Sequence, residues 1–208
     1  MERSVCMSHY IDLNSDLGES FGNYTLGMDS EVLNHVTSAN VACGWHAGDP
    51  LIMEATVRMC KEKGVAVGAH PGYPDLMGFG RRAMAVNPGE AKAYMIYQLG
   101  ALQAFCDSYG VTLQHMKLHG AFYNTACVTP ALADAVLDGL QAVNPNVAAM
   151  VLSGSYIAKE AQRRGIPVIQ EVFADRGYTD EGTLVPRTEP GAFIKDPQEA
   201  LERVLMMV

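Results

Sequence analysis

The sequence is short of positive charge and has no long apolar run. Its 15 Lys and Arg residues stand against 23 Asp and Glu residues, which gives a formal net charge of −8, and no segment is rich in Lys or Arg. A chain of this charge is a poor candidate for binding nucleic-acid phosphates or an anionic membrane surface. No apolar stretch approaches the roughly 18–20 residues that span a bilayer. We therefore expect no nucleic-acid partner and no membrane span.

The sequence also lacks a cysteine framework. Its five cysteines are odd in number, scattered, and never spaced as C-x-x-C. That usage is typical of reduced thiols rather than of a disulfide or zinc scaffold. The opening segment MERSVCMSH has no apolar core of the kind that a secretory signal needs. We therefore expect a cytoplasmic protein.

Two nucleotide-binding signatures are missing as well. No G-x-G-x-x-G follows an apolar run, which weakens the case for a dinucleotide site, and no G-x-x-x-x-G-K-[ST] is present. If this chain binds a nucleotide, it therefore does so without a P-loop.

The sequence does have an alternation of apolar runs and helix-start signals. Asp49, Asn87, Thr129 and Asp196 each precede a proline, so that an N-cap residue stands before a proline at the first helical position. Helices are predicted over 50–63, 88–108, 130–143, 156–164 and 197–207. The apolar runs predict strands at Tyr10–Leu13, Ser38–Cys43, Val65–Ala69, Leu113–Leu118, Val147–Leu152 and Pro167–Phe173. Repeated βα units in one domain over residues 1–208 are expected, as a barrel or a doubly wound sheet.

Polar residues collect after five of the six apolar runs. In a βα barrel the carboxyl ends of the strands form the catalytic face, so these polar residues are candidates for the site. The candidate catalytic residues are Asp12, His46, His70, Lys117 and His119. The candidate binding residues in this pattern are Asn14, Glu19, Asp49, Arg81, Arg82, Asn124, Glu171, Asp175 and Arg176.

Several of these residues also have a purely structural explanation. Asp49 precedes a proline and could simply cap a helix. Asp12 and Asn14 could be turn residues. Lys117 and Glu171 lie inside apolar runs and could be each other's buried partner. Each site assignment is therefore a hypothesis that the fold has to test.

A divalent metal is one use for such residues. Asp12, His46 and His70 lie at three predicted strand ends, and His and carboxylate ligands with an open water position make a hydrolytic metal centre. The same groups could act as acid–base catalysts without a metal. His115 and His119 are four residues apart, which on a strand is about 13 Å and too far for one ion.

Five long blocks of the sequence resemble the LamB/YcsF family. They are DLNSDLGESFG (12–22), NVACGWHAGD (40–49), GAHPGYPDLMGFGRR (68–82), MKLHGAFYN (116–124) and EVFADRGYTDEGTLVPR (171–187), in the family's order. The resemblance implies a distorted, seven-stranded (β/α) TIM-like barrel of the glycoside hydrolase/deacetylase type. The family continues to a last strand with an I-C-V-H-G-D block. The barrel is therefore expected to lack that strand here and to be either open between its first and sixth strands or narrowed by a shift.

The resemblance also implies a chemistry. It implies hydrolytic ring opening of 5-oxo-L-proline to L-glutamate, coupled to hydrolysis of ATP with Mg²⁺, together with subunits B and C of a 5-oxoprolinase. For that reaction the candidates for neutralising phosphate charge are Lys117, Arg81, Arg82 and Arg176. Arg187 or Arg82 could pair with the substrate carboxylate. Two alternatives stay open: a stand-alone metal-dependent amide or carbohydrate deacetylase-like hydrolase, and a non-catalytic lactam-binding subunit.

Overall fold

Six parallel strands form the centre of the computed structural model, which describes residues 11–207. The strands are β1 (Asn14–Leu17), β2 (Ser38–Ala42), β3 (Ala66–His70), β4 (Leu113–Met116), β5 (Ala148–Leu152) and β6 (Val168–Glu171). They pair in sequence order from β1 to β6 and form a curled half-barrel, which matches a TIM-like barrel that lacks a strand. Among the described residues β1 and β6 do not pair with each other. The expectation of a barrel that is open between its first and sixth strands is therefore confirmed.

Seven helices accompany the strands in the described part of the chain. They are α1 (Asp29–Val32), α2 (Pro50–Lys63), α3 (Pro88–Tyr109), α4 (Gly120–Val128), α5 (Pro130–Val143), α6 (Tyr156–Arg163) and α7 (Pro197–Met207). The N-cap predictions are confirmed where the side chains bond as expected. Asp49 accepts from the amides of Leu51 and Ile52, and Asn87 forms a reciprocal capping box with Glu90. The prediction missed α1 and α4, and α4 begins without any side-chain cap.

The first strand lies later in the sequence than predicted. We expected it at Tyr10–Leu13, of which Tyr10 is outside the described residues, whereas β1 spans Asn14–Leu17. Ile11 and Leu13 are each 58% exposed, so the apolar run is not a buried strand. The strand itself reads Asn-Ser-Asp-Leu, and its polar side chains enter a polar layer inside the barrel. An apolar-run criterion cannot detect a strand whose inward residues are polar.

The register of the sheet builds that polar layer. Asp16 on β1 is level with Asn40 on β2, which is level with Gly68 on β3, which is level with His115 on β4. Gly68 has no side chain, and the imidazole of His115 occupies the space that a side chain there would need. Asn40 and His115 are both fully buried. The layer lies directly below the mouth of the barrel and supports the residues that line it.

No single helix within residues 11–207 is long and apolar enough to cross a bilayer; α4 and α5 reach the necessary length only as a pair, and that pair is bent by 115°.

Candidate metal centre

Four potential metal ligands meet at the mouth of the half-barrel. Glu19 follows β1, His46 follows β2, His70 is the last residue of β3, and His119 follows β4 at the start of α4. One ligand atom from each lies within 4.8 Å of all the others. The three histidines are at most 3% exposed. The parallel strands bring these residues together because the carboxyl ends of the strands share one face of the barrel.

The hydrogen bonds of two histidines fix their tautomers. Nδ1 of His70 lies 2.8 Å from the carbonyl oxygen of Lys117, and Nε2 of His119 lies 2.8 Å from that of Phe79. A carbonyl can only accept, so both of these ring nitrogens carry the hydrogen. When the rings are neutral, the other two nitrogens are lone pairs, and they face each other at 2.9 Å. Two lone pairs cannot bond to one another, so a proton or a metal ion is needed between them.

The other two ligands have buried atoms that lack hydrogen-bond partners. Within residues 11–207 both ring nitrogens of His46 and Oε1 of Glu19 make no hydrogen bond, and the closest approach between them is 3.4 Å. The His46 ring stacks on that of His119, with centroids 3.7 Å apart. Burial lowers the pKa of His46 to about 2, and burial with the neighbouring His70 and His46 lowers that of His119 to about 2. Both imidazoles are therefore neutral near pH 7, which is the form that binds a metal. Unpaired buried polar atoms that converge on one point are the pattern that a set of metal ligands presents.

The charges beside the cluster favour a cation. Nζ of Lys117 lies 2.7 Å from Oε1 of Glu171 and 3.3 Å from Oδ1 of Asp16. Burial alone would lower the pKa of Lys117, but Asp16 and Glu171 raise it, so the ammonium stays charged. Burial alone would raise the pKa of Asp16, but His70 and Lys117 hold it well below its usual value. One ammonium thus faces two carboxylates, and the other oxygen of Asp16 is 3.3 Å from Nε2 of His70.

Two residues that the sequence analysis did not select hold this arrangement in place. The Asn40 amide donates to Oδ1 of Asn14 (2.7 Å) and to Oδ1 of Asp16 (2.9 Å), and Asn40 accepts from Nε2 of His115 at 2.6 Å. The Tyr123 hydroxyl donates to Glu171 at 3.1 Å. Asn40 had one signal in the sequence: it is an isolated amide inside an apolar run. Tyr123 had none, because an aromatic residue on a helix usually packs in a core.

The structure brings most of the predicted residues together, but the prediction that Asp12 belongs to the metal-ligand cluster is corrected. Asp12 precedes β1, and its carboxylate accepts from the hydroxyls of Thr37 (2.5 Å) and Ser38 (2.6 Å) at the start of β2. It therefore lies at the amino end of the sheet, away from the ligand cluster. His46 and His70 belong to the cluster as predicted, and its carboxylate is Glu19 instead.

Three further predicted binding residues have other roles or positions. Asp49 caps α2 and also accepts from the Gly22 amide at 2.8 Å. Arg82 forms a hydrogen-bonded ion pair with Asp75. Asn124 is exposed on α4 and belongs neither to the ligand cluster nor to the lining of the neighbouring cavity between β1 and β6. The helix-capping explanation of Asp49 is therefore sufficient.

A cavity of about 810 Å³ opens beside the cluster, between β1 and β6, which do not pair with each other among the described residues. We call it the seam cavity. Asn14, Asp16, Lys117 and Glu171 line one part of it, and Asp175, Arg176 and Arg187 line another part. Val204 and Met207 of α7 also border it. Asp16 borders this cavity and also contacts His70, so it connects the space for a small molecule with the ligand cluster.

Comparison with known proteins identifies close relatives. Residues 11–208 match the model of the LamB/YcsF family. The A subunit of the 5-oxoprolinase of Fusobacterium nucleatum subsp. nucleatum is 62% identical over 202 residues, which are 97% of this chain and 79% of the relative. The corresponding 5-oxoprolinase chain of Pyrococcus abyssi is 57% identical over 198 residues, or 95% and 78%. The crystal structure of the lactam utilization protein from Thermus thermophilus matches with a TM-score of 0.91 and 46% identity, over 96% of this chain and 81% of that one.

Proposed function

The chain belongs to the LamB/YcsF family, and we propose that it is the hydrolytic A subunit of an ATP-dependent 5-oxoprolinase. In this proposal it opens the ring of 5-oxo-L-proline to give L-glutamate, coupled to hydrolysis of Mg-ATP, with subunits B and C in the cytoplasm. The names of the relatives support the general activity. The single structural observation that carries the hydrolytic role is the converging set of Glu19, His46, His70 and His119.

The substrate explains why such a set is needed. The carbonyl carbon of a five-membered lactam is a weak electrophile, because the nitrogen lone pair is delocalised onto the oxygen. A divalent ion held by the four ligands would act as a Lewis acid near that carbonyl. Three imidazoles and one carboxylate are a donor set that zinc and similar ions prefer. The two opposed lone pairs of His70 and His119 repel each other, whereas both would be stabilised by binding such an ion.

The remaining residues of the mouth have separate roles. Asp16 is ionised and borders the seam cavity, so it can accept the proton of an attacking water. Lys117 is fixed between Asp16 and Glu171 and can neutralise the negative charge of a phosphoryl group on the lactam oxygen. Asn14 and Asn40 hold Asp16 and Lys117 in position.

ATP coupling requires an activated form of the lactam. Transfer of the γ-phosphoryl group to the lactam oxygen makes the ring carbon attackable by water. Water then adds, the C–N bond breaks while the nitrogen takes up a proton, and a second water releases phosphate from the resulting acyl phosphate. The products are L-glutamate, ADP and phosphate. Because this sequence contains no P-loop, we assign at least part of the nucleotide site to a partner subunit.

The test is an assay of 5-oxoproline-dependent ATP hydrolysis with this chain alone and with subunits B and C. We expect turnover only with all three subunits, and one divalent ion per chain by elemental analysis. His46→Ala and His119→Ala should each lower turnover by about 10²-fold or more and lower the bound metal. His35→Ala, on an exposed surface, is the matched control and should change neither.

The other outcomes separate the competing functions. Hydrolysis of a lactam or acetylated sugar by this chain alone, without ATP, would identify a stand-alone metal-dependent hydrolase. Tight lactam binding with no turnover in the presence of both partners would identify a binding subunit. Normal turnover of both histidine variants, with no metal bound and no sensitivity to a chelator, would contradict the metal centre.

A further inference from the structure

The seam cavity carries two kinds of charge on different parts of its lining. Next to the ligand cluster are Asp16, Lys117 and Glu171, which pair with one another. The segment that follows β6 contributes Arg176 and Arg187. A small molecule that enters the cavity therefore meets compensated charges on one part of the lining and guanidinium groups on another.

Those two guanidinium groups lack a carboxylate partner. Within residues 11–207 no Asp or Glu oxygen lies within 4 Å of a nitrogen of Arg176 or Arg187, although Asp175 also lines the cavity. Both groups lie over the ring of Phe193, with the guanidinium carbon 5.2 Å and 5.1 Å from its centroid. Partial burial lowers the pKa of Arg187 and the neighbouring charges of Arg81 and Arg176 lower it further, whereas the charge of Asp175 raises it. Two like charges beside one ring, with Asp175 near them but not in a direct ion pair with either, are stabilised when an anion binds.

Arg176 is held rigidly. It is only 5% exposed, and its Nε and Nη2 donate to the carbonyls of Ala192 (2.9 Å) and Val185 (2.6 Å). These bonds fix the loop that presents both arginines. Arg187 has an exposed side chain and no such bond among the described residues, so its planar fork is free to close on a ligand.

We propose that Arg176 and Arg187 form a carboxylate-binding subsite that makes the enzyme select acidic lactams over neutral ones. The proposal deepens the proposed function and rests on it. With the carboxylate on the two arginines, the ring of the lactam extends across the cavity toward Lys117 and Asp16. Arg82 is excluded from this role because it is paired with Asp75. A bidentate guanidinium–carboxylate contact gives both charge and orientation.

The test measures binding rather than turnover, by titration calorimetry on the full chain. The ligands are 5-oxo-L-proline, 2-pyrrolidinone, which is the same ring without the carboxylate, and inorganic phosphate. The variant is Arg187→Gln, because Arg176 also holds its loop and its loss could disturb the fold. The matched control is Arg163→Gln, which removes one guanidinium from α6, outside the cavity.

We expect wild type to prefer 5-oxo-L-proline over 2-pyrrolidinone, and R187Q to lose about 10- to 100-fold in affinity for 5-oxo-L-proline only. R163Q should match wild type. Equal weakening of both lactams, or no change in either, would overturn the proposal. Phosphate binding that is tighter than 5-oxo-L-proline and depends on Arg187 would overturn it as well, because the subsite would then serve a phosphoryl group. A complex that turns over 5-oxoproline normally with R187Q and discriminates as before would contradict this subsite while leaving the proposed function intact.

Discussion

Lys117 is the position where one substitution should have the largest combined effect on stability and function. Its ammonium is 7% exposed and lies 2.7 Å from Glu171, whose carboxylate is 4% exposed. Lys117→Met keeps most of the volume and removes the charge, so among the described residues Glu171 is left buried with only the Tyr123 hydroxyl as a partner. Asp16 is affected less, because 37% of its side chain is open to the cavity and can be hydrated.

The size of the effect follows from this burial. Breaking a buried ion pair by removing one partner costs about 3–5 kcal/mol, out of a total stability of about 5–15 kcal/mol. For a chain of this size 1 kcal/mol corresponds to about 2–4 °C in melting temperature, so K117M should melt roughly 6–20 °C below wild type. Turnover of the reconstituted complex should fall as well, since Lys117 faces the reacting carbonyl in the proposed mechanism.

A double-mutant cycle separates the lost pair from general disruption of the site. Glu171→Gln alone leaves Lys117 paired with Asp16 and keeps an acceptor for Tyr123, so we expect a smaller loss than for K117M. The double variant K117M/E171Q has no unpaired buried charge and should be more stable than K117M alone. Urea and thermal unfolding followed by circular dichroism measure all four forms. If the two single effects simply add in the double variant, the buried ion pair is not the source of the loss.

Three further predictions concern other parts of the molecule. Arg163 and Arg164 hold the pKa of Glu160 at about 2, below its value in the unfolded chain. The loss of stability caused by Glu160→Gln, measured by thermal melts, should therefore be constant at neutral pH and should shrink as the pH falls below about 4. Asn40→Ala should cost about 1–3 kcal/mol for each buried partner left unpaired, as measured in urea. Amides of β1 and β6 should exchange hydrogen faster than those of β3, because β1 and β6 each have one unpaired edge among the described residues; equal protection would mean that the edges are covered in solution.

The helices that the sequence predicted best are those with local signals at their ends. Asp49 and Asn87 bond the first amides of α2 and α3, and Gly64 and Gly110 end the same helices. Such signals depend only on residues that are close in sequence, so they can be recognised without knowledge of the tertiary fold. Helix α4 had no such signal, since it starts at Gly120 soon after β4 without a side-chain cap and relies on burial of Phe122 and its neighbours.

The histidines of the site were predictable because each of them comes at or just after the end of a run that was predicted to be a strand. His46 and His70 come at the ends of β2 and β3, both of which are mostly or fully buried. The apolar runs fix where these strands end, and parallel pairing then places their ends on one face. No distances are needed for this inference, and the structure confirms it for His46, His70 and His119.

The carboxylate of the cluster could not be chosen from the sequence, because three acids, Asp12, Asp16 and Glu19, lie along a strand whose position was misjudged. Once β1 is placed at Asn14–Leu17, Asp12 falls at the opposite end of the sheet, and Asp16 points into the barrel beside Lys117. Glu19 reaches the histidines because the preceding residue, Gly18, has φ +70°, a backbone conformation that residues other than glycine rarely adopt. The Gly18 amide donates to the Asp29 carboxylate at 2.8 Å and holds this turn in place. A one-residue turn that is anchored by a residue eleven positions away therefore decides which acid completes the cluster. That long-range contact is the information that the spacing of acidic residues along the chain does not contain.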